Sequence, residues 1–209
     1  MHYLKLRSRL FPCLRAGESK FQVRIFNILE SNKKILFLDL DETLIRSVYG
    51  TKKAENNFVV DGIEFNFVVR PFCQYFLKKM SNLFDIYIFT AGTKEYAHPI
   101  IEYLNKDITA IKGILHRGHC LKTKNGVYIK DLRIIKGKGI EEMVLVDNNI
   151  KSFSFQLENG IPVQSFYGNA KDRILLKLAS FLKKLAAVEN IPAYLNEALN
   201  LRACFSEMT

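Results

Sequence analysis

From residue 34 onward the chain alternates continuous apolar runs with segments whose apolar residues recur every three or four positions. Ile35-Leu36-Phe37-Leu38, Asp85 to Thr90 and Met143 to Asp147 are nearly unbroken apolar stretches, as strands buried on both faces are. Ile111 to Leu115 and Pro162 to Phe166 are weaker strand candidates. Pro71 suits a first helical position, and Phe72, Tyr75, Phe76, Leu77 and Met80 follow as an apolar stripe. Thr93 predicts a cap ahead of Ile100, Ile101 and Leu104, with Pro99 breaking or restarting that helix. Asn169, with Asp172 three residues on, reads as a capping box before Ile174, Leu175, Leu178, Phe181, Leu182 and Leu185.

Buried-type strands alternating with helices predict an α/β fold, a Rossmann-like parallel sheet. One stretch breaks the alternation. Phe58-Val59-Val60, then Asp61-Gly62, then Ile63 to Val69 reads as a β-hairpin with a tight turn, a short insertion within 47–69 near the active edge of the sheet. No repeat, low-complexity tract or internal linker divides the chain. The expected organisation is a basic N-terminal extension over 1–33, an α/β domain over 34–187 and a helical tail over 188–209.

With 209 residues the chain can bury a real core, and no apolar run reaches the roughly 20 residues that span a bilayer. Cys13, Cys73, Cys120 and Cys204 are scattered, which fits a reducing compartment and argues against a disulfide framework or zinc ribbon. His116, His119 and Cys120 stand together in H-R-G-H-C without a second ligand pair elsewhere, so they read as loop chemistry rather than a metal site. The net charge of +10 favours phosphorylated or acidic partners. The bland reading, solvated faces, holds equally for each doublet: Lys33-Lys34, Lys52-Lys53, Lys183-Lys184. No RNP, KH, zinc-finger or helix-turn-helix signature accompanies the charge, so nucleic acid is not an expected partner. Residues 1–20 carry Lys5, Arg7, Arg9, Arg15 and Lys20, with no acid before Glu18. That resembles an organelle presequence, though Pro12 interrupts its helical pattern. Gly137-Lys138-Gly139 lacks P-loop spacing and reads as a turn.

Three of the buried-type strands end in polar residues: Asp39 and Asp41, Thr90, and Asp147-Asn148. Open α/β sheets bind ligands just beyond the carboxyl ends of their strands. Carboxylates converging there repel one another unless a cation joins them, and hard oxygen donors suit Mg²⁺, which keeps waters and a substrate phosphate as its other ligands. The run Leu38-Asp39-Leu40-Asp41-Glu42-Thr43-Leu44 is the informative one. An aspartate at a strand end can simply cap the following helix. Two aspartates two apart, matched by Asp147-Asn148 at another strand end, exceed that explanation.

In these residues the chain resembles the haloacid dehalogenase superfamily and, within it, the FCP-homology phosphatases, small phosphatases of the RNA polymerase II C-terminal domain. The resemblance covers about Lys34 to Leu185. It is carried by D-L-D-E-T-L, V-R-P, L-F-D-I-Y-I-F-T-A with K-E-Y-A beyond it, H-R-G-H-C, Y-I-K-D-L and V-L-V-D-N, in the family's order. The small insertion and the lack of a large cap also match, and an open cleft suits a phosphorylated peptide. The resemblance implies that Asp39 attacks phosphorus to give an aspartyl phosphate, while Asp41 protonates the leaving hydroxyl and later deprotonates water. It implies Mg²⁺ held by Asp39, the backbone carbonyl of Asp41 and Asn148, with Asp147 beside it. Thr90, Lys130 and Arg117 match phosphate-binding positions, and Thr43 orients the aspartate loop beside the phosphate. The implied activity is a serine/threonine phosphatase of the nucleus or cytoplasm acting on a phosphoprotein such as the polymerase tail. Two relatives of the fold are the alternatives: a mitochondrial presequence-translocase receptor, kept open by the basic N-terminus, and a nuclear-envelope phosphatase. Two departures bear on specificity. The segment from Cys120 to Tyr128 is longer than expected, and the insertion is basic at Lys52 and Lys53.

Overall fold

The computed structural model describes residues 25–28, 31–48, 56–201 and 203. The basic segment of residues 1–20, Lys52 and Lys53, and Cys13 and Cys204 lie outside them.

Strand β1 (Lys34–Leu38) occupies the centre of the molecule. A small antiparallel sheet follows, made of β2 (Ile45–Val48), β3 (Asn56–Val60) and β4 (Ile63–Val69) in the order β2-β4-β3. Asp61 and Gly62 both take positive φ, 50° and 77°, the tight turn expected of Asp-Gly. The insertion therefore holds the expected hairpin and one strand more, β2, whose sequence Ile45-Arg46-Ser47-Val48 carries too few apolar residues to declare itself.

Helix α1 (Cys73–Ser81) leads to β5 (Phe84–Phe89), and helix α2 (Lys94–Asn105) to β6 (Ile111–Leu115). The chain then crosses to β7 (Met143–Asp147) and β8 (Gly160–Pro162), and closes with α3 (Ile174–Leu185) and α4 (Ile191–Leu199). The main sheet runs β8-β7-β1-β5-β6 with every pairing parallel. This is the expected Rossmann-like arrangement.

Alternation in β1, β5 and β7 divides the core in two. Leu36, Leu38, Ile86, Ile88, Val144 and Val146 join one cluster with the buried faces of the four helices. Ile35, Phe37, Tyr87, Phe89, Met143 and Leu145 join a second, closed by Leu132, Ile134, Phe153 and Leu157 from short 3-10 turns and by Ile28. Both faces are dry, which is why these strands read as unbroken apolar runs.

Four local expectations change. Helix α1 starts at Cys73, not Pro71: Cys73 N bonds Arg70 O across a turn, and Phe72 caps the helix at φ 66° with its ring 42% exposed. Its buried stripe is Cys73, Phe76, Leu77 and Met80. Pro99 lies inside α2 without breaking it, since its missing N–H leaves only the carbonyl of exposed Glu95 in the first turn unbonded. Asn169 and Asp172 form no capping box, because Asp172 is drawn to Arg70, although its Oδ1 still accepts from Ile174 N at 2.9 Å. The strand proposed over Pro162 to Phe166 ends at Pro162, opposite Asp147, where β7 itself ends.

Parts of both expected flanking segments belong to the core. Phe26–Asn27 pairs in parallel with Ile135–Lys136, and Ile28 is buried. In α4, Ile191 and Leu195 are buried in the same cluster as α3. Lys33 Nζ donates to Ser81 O and Lys34 Nζ to Ala186 O, so this basic doublet closes the carboxyl ends of α1 and α3.

Candidate active site

The expected site residues meet where the fold places its crevice. Connections leave β1 toward β5 on one side and return to β7 on the other, opening the sheet at the carboxyl end of β1. Asp39 N donates to Val146 O at 2.9 Å, which holds the aspartate level with the end of β7. Leu40 O then accepts from both Leu44 N and Ile45 N, at 2.9 and 3.1 Å. This turn carries Thr43 back over the strand end, where its hydroxyl donates to Asp39 Oδ2 at 3.0 Å.

Lys130 is the centre of the buried part. Its ammonium donates to Asp39 Oδ1 at 2.5 Å and to Asp147 Oδ2 at 2.6 Å, and Lys130 and Asp147 are each 1% exposed. Lysine is rarely buried unless paired, and here it has two carboxylates. Burial alone would lower its pKa, but the charges of Asp147 and Asp39 prevail and raise it. Asp147 is pushed up to about 6 by burial and by the charge of Asp39, against the pull of Lys130. A hairpin made by Leu121–Lys122 and Tyr128–Ile129, turning at Gly126 (φ 79°), delivers Lys130, whose N–H is anchored on Ser152 O at 2.7 Å. The long segment after Cys120 is this hairpin.

Asp41 faces the other way. Its Oδ1 accepts from Ser47 Oγ at 3.1 Å and from the hydroxyl of Tyr96, and no cation touches it among the described residues. Burial raises its pKa, helped by Asp39 and Glu42, and the Tyr96 and Ser47 bonds offset only part of that. Asp41 lines an open cavity of about 380 Å³ with Phe65, Ala91, Gly92, Thr93, Tyr96 and Arg117. Tyr96 is fixed there by its ring contacts with Phe58 and Phe65 of the insertion and by its N–H on the Thr93 cap.

Thr90 directly follows β5 and is buried; its hydroxyl oxygen accepts from Gly92 N at 2.9 Å, which leaves the hydroxyl hydrogen to donate. Arg117 is exposed at the cavity mouth, its Nε on Ala91 O at 2.7 Å and its guanidinium over Tyr128. His116 and His119 act on their own loop, each ring Nδ1 accepting a backbone N–H, as the loop reading expects.

Residues that could hold a metal show a consistent donor set. Asn148 gives its amide Nδ2 to Ser165 Oγ at 3.0 Å and Glu42 Oε2 at 3.3 Å. This turns its Oδ1 toward Thr43, 3.5 Å away, on the side where Asp39 Oδ2 lies. The single Thr43 hydrogen serves Asp39, so the Asn148 oxygen faces the cluster without a close donor. Among the described residues no three His, Cys, Asp or Glu side chains form a metal cluster. Asp39, Asn148 and a backbone carbonyl are the sparse all-oxygen set that Mg²⁺ accepts. Asp147 lies beside this set, sharing Lys130 with Asp39 and accepting from Asn149 N at 2.7 Å.

The fold thus joins Asp39, Thr43, Lys130 and Asp147 in one bonded cluster, with the Asn148 oxygen 3.5 Å from the Thr43 hydroxyl. It sets Asp41 and Arg117 on the adjoining cavity, with Thr90 at the strand end between. Sequence reading missed Ser47, Glu42, Ser165 and the hydroxyl of Tyr96. Glu42 and Tyr96 had a signal, as members of D-L-D-E-T-L and K-E-Y-A; Ser47 and Ser165 depend on contacts across the fold.

Comparison with known proteins shows the family. Residues 34–192 match the family model of NLI interacting factor-like phosphatase. CTD small phosphatase-like protein 2 of Dictyostelium discoideum is 34% identical over 184 residues, which cover 85% of this chain and 32% of the relative. Nuclear envelope morphology protein 1 of Saccharomyces cerevisiae is 33% identical over 200 residues, covering 84% and 45%. The chain therefore spans less than half the length of these relatives. The solved structure of Fcp1, an essential RNA polymerase II CTD phosphatase, superposes with a TM-score of 0.65 at 16% identity, covering 79% of this chain and 70% of that one, a likeness of fold.

Proposed function

Since the chain belongs to the NLI interacting factor-like phosphatases, we propose that it is a magnesium-dependent phosphoprotein phosphatase that passes the phosphoryl group of phosphoserine or phosphothreonine through Asp39 to water. The observation that carries this reading is the unequal setting of the two aspartates of D-L-D. Asp39 lies against the buried Lys130 ammonium, whereas Asp41 meets hydroxyl donors at the edge of an open cavity. One lies beside an ammonium at the strand end, placed to attack, and the other is placed to exchange a proton with whatever occupies the cavity.

In the first half-reaction an Asp39 oxygen bonds to phosphorus as the ester P–O bond breaks, and Asp41 gives its proton to the departing alkoxide. In the second, Asp41 takes a proton from water while that oxygen attacks phosphorus. The Asp39–phosphorus bond breaks and releases inorganic phosphate. Thr90, Lys130 and Arg117 bind phosphoryl oxygens, and Thr43 steadies Asp39. Asp39, the carbonyl of Asp41 and Asn148 would hold Mg²⁺, which supplies positive charge against the phosphoryl oxygens as they crowd the carboxylate.

The open cavity, walled by Phe65 and Tyr96 with Arg117 at its mouth, suits a phosphorylated side chain on a peptide. The polymerase C-terminal domain is the first candidate substrate, met in the nucleus or cytoplasm, and the likeness to Nuclear envelope morphology protein 1 supports a nuclear-envelope-type phosphatase as the second reading. No helix among the described residues is long and apolar enough to cross a membrane. The decisive test is trapping. Asp41→Asn with a labelled nitrophenyl phosphate, whose leaving group needs no proton, is expected to accumulate a hydroxylamine-sensitive phosphoenzyme that peptide mapping places on Asp39. Label on any other residue overturns the assignment.

A further inference from the structure

Glu42 has a backbone conformation that its residue type disfavours. It sits at φ 62°, in the left-handed region where glycine is at home. The turn over Leu40 requires this geometry: Glu42 N bonds Ile45 O at 2.6 Å, and Glu42 O accepts from Phe166 N at 2.7 Å. Such strain persists where the surrounding structure fixes it, and it clusters at sites of chemistry. Here the side chain is fixed as well. Glu42 Oε2 accepts the amide of Asn148 at 3.3 Å, and Ser165 Oγ accepts it at 3.0 Å. The other carboxylate oxygen, Oε1, is paired with Arg46, whose guanidinium lies 5.2 Å from the ring centre of Tyr167.

We infer that Glu42, backed by Arg46, is a positioning residue that sets the amide of Asn148 with its oxygen toward the metal. An asparagine amide can present either end to the cluster. With its nitrogen held between a carboxylate and a hydroxyl, only the oxygen can face Asp39 and Thr43. Partners that orient a ligand in this way typically govern metal affinity by about 10- to 100-fold. Glycine at position 42 would suit the backbone better and leave the amide with Ser165 alone. The inference rests on the reading of Asn148 as a magnesium ligand.

The test separates the two. Titration calorimetry with MgCl₂ on the whole metal-free chain gives affinity, and thermal unfolding without metal gives the stability of the fold. Glu42→Gly is expected to weaken Mg²⁺ binding by about tenfold or more while its metal-free Tm is no lower than wild type. A purely structural role would not produce that opposition. Ser165→Ala, which removes the second acceptor, is expected to weaken binding in the same direction. Glu42→Gln keeps an acceptor without the charge and is expected to stay within a few-fold of wild type. Wild-type affinity in Glu42→Gly, alongside lost binding in Asn148→Ala, overturns the inference and leaves Asn148 as the ligand. Wild-type affinity in Asn148→Ala removes the ligand reading and the inference together. A fall in metal-free Tm matching the loss of affinity in Glu42→Gly, or an equal loss in Glu42→Gln, also overturns the orienting role.

Discussion

Two aspartates separated by one leucine take different partners because the chain leaves the strand between them: residues two apart on a continuing strand would share a face, but here the backbone turns over Leu40 O. Asp39 turns to Lys130 and Thr43, Asp41 to Ser47 and Tyr96. Asp39→Asn keeps the shape of the side chain but removes the nucleophile, so turnover should vanish while circular dichroism and Tm stay near wild type. Lys130→Met leaves Asp39 and Asp147 buried together without a cation. We expect the metal-free protein to lose about 3–5 kcal/mol in urea unfolding, with part of the loss recovered on adding Mg²⁺. Turnover should fall by at least about a hundredfold. Chelation with EDTA should abolish phosphatase activity, Mg²⁺ should restore it, and Ca²⁺ should do so poorly because its larger, looser coordination misplaces the phosphoryl group.

Between elements, one buried arginine links the aspartate loop to the last third of the fold. Arg70, 1% exposed, donates to Thr43 O at 3.0 Å and to Gln164 O at 2.8 Å, and makes a two-point pair with Asp172 at 3.0 and 2.9 Å. This joins the end of β4, the turn that carries Thr43, and the start of α3. Burial tends to raise the pKa of Asp172, but the Arg70 and Ile174 N bonds and the Arg70 charge outweigh it and lower it below 3.8. A carboxylate with a lowered folded pKa adds stability that is fully present above the unfolded value and is lost as pH falls through the folded one. Wild type should therefore lose stability more steeply than Asp172→Asn in urea titrations taken below about pH 4. At neutral pH the variant should be weaker by about 2 kcal/mol.

At the scale of the whole molecule, the sheet is covered by helices on one side and by short turns and two-residue strands on the other. The cover extends past the expected domain limit at 187. Ile191 and Leu195 of α4 are at most 1% exposed, and burying two such side chains stabilises the fold by about 3–6 kcal/mol. Ending the chain after Ala187 should lower the free energy of unfolding by that amount, and the urea midpoint measures it. The chain carries a net charge of +10, and Arg117 puts one of its cations on the cavity that Asp41 lines.

By itself the sequence determined the strands with two buried faces, because a strand with no wet side must be apolar at every position, as β1, β5 and β7 are. It determined the Asp-Gly turn, which needs two residues at ease with positive φ, and the D-L-D run at the end of the first strand. Asp39, Asp41, Thr43, Thr90, Arg117, Lys130, Asp147 and Asn148 were all legible as candidates, through strand ends and through resemblance. Only the tertiary structure decided who bonds whom. Lys130 reaches Asp39 across 91 residues of chain, and Arg70 reaches Asp172 across 102. No local pattern encodes such pairs. The same long-range contacts displaced the local reading at the Asn169–Asp172 box, where a buried guanidinium with four bonds outweighs a cap worth about 1 kcal/mol. They also hold Glu42 in a conformation that its side chain alone would avoid, because its carbonyl and carboxylate are bonded to segments more than a hundred residues away.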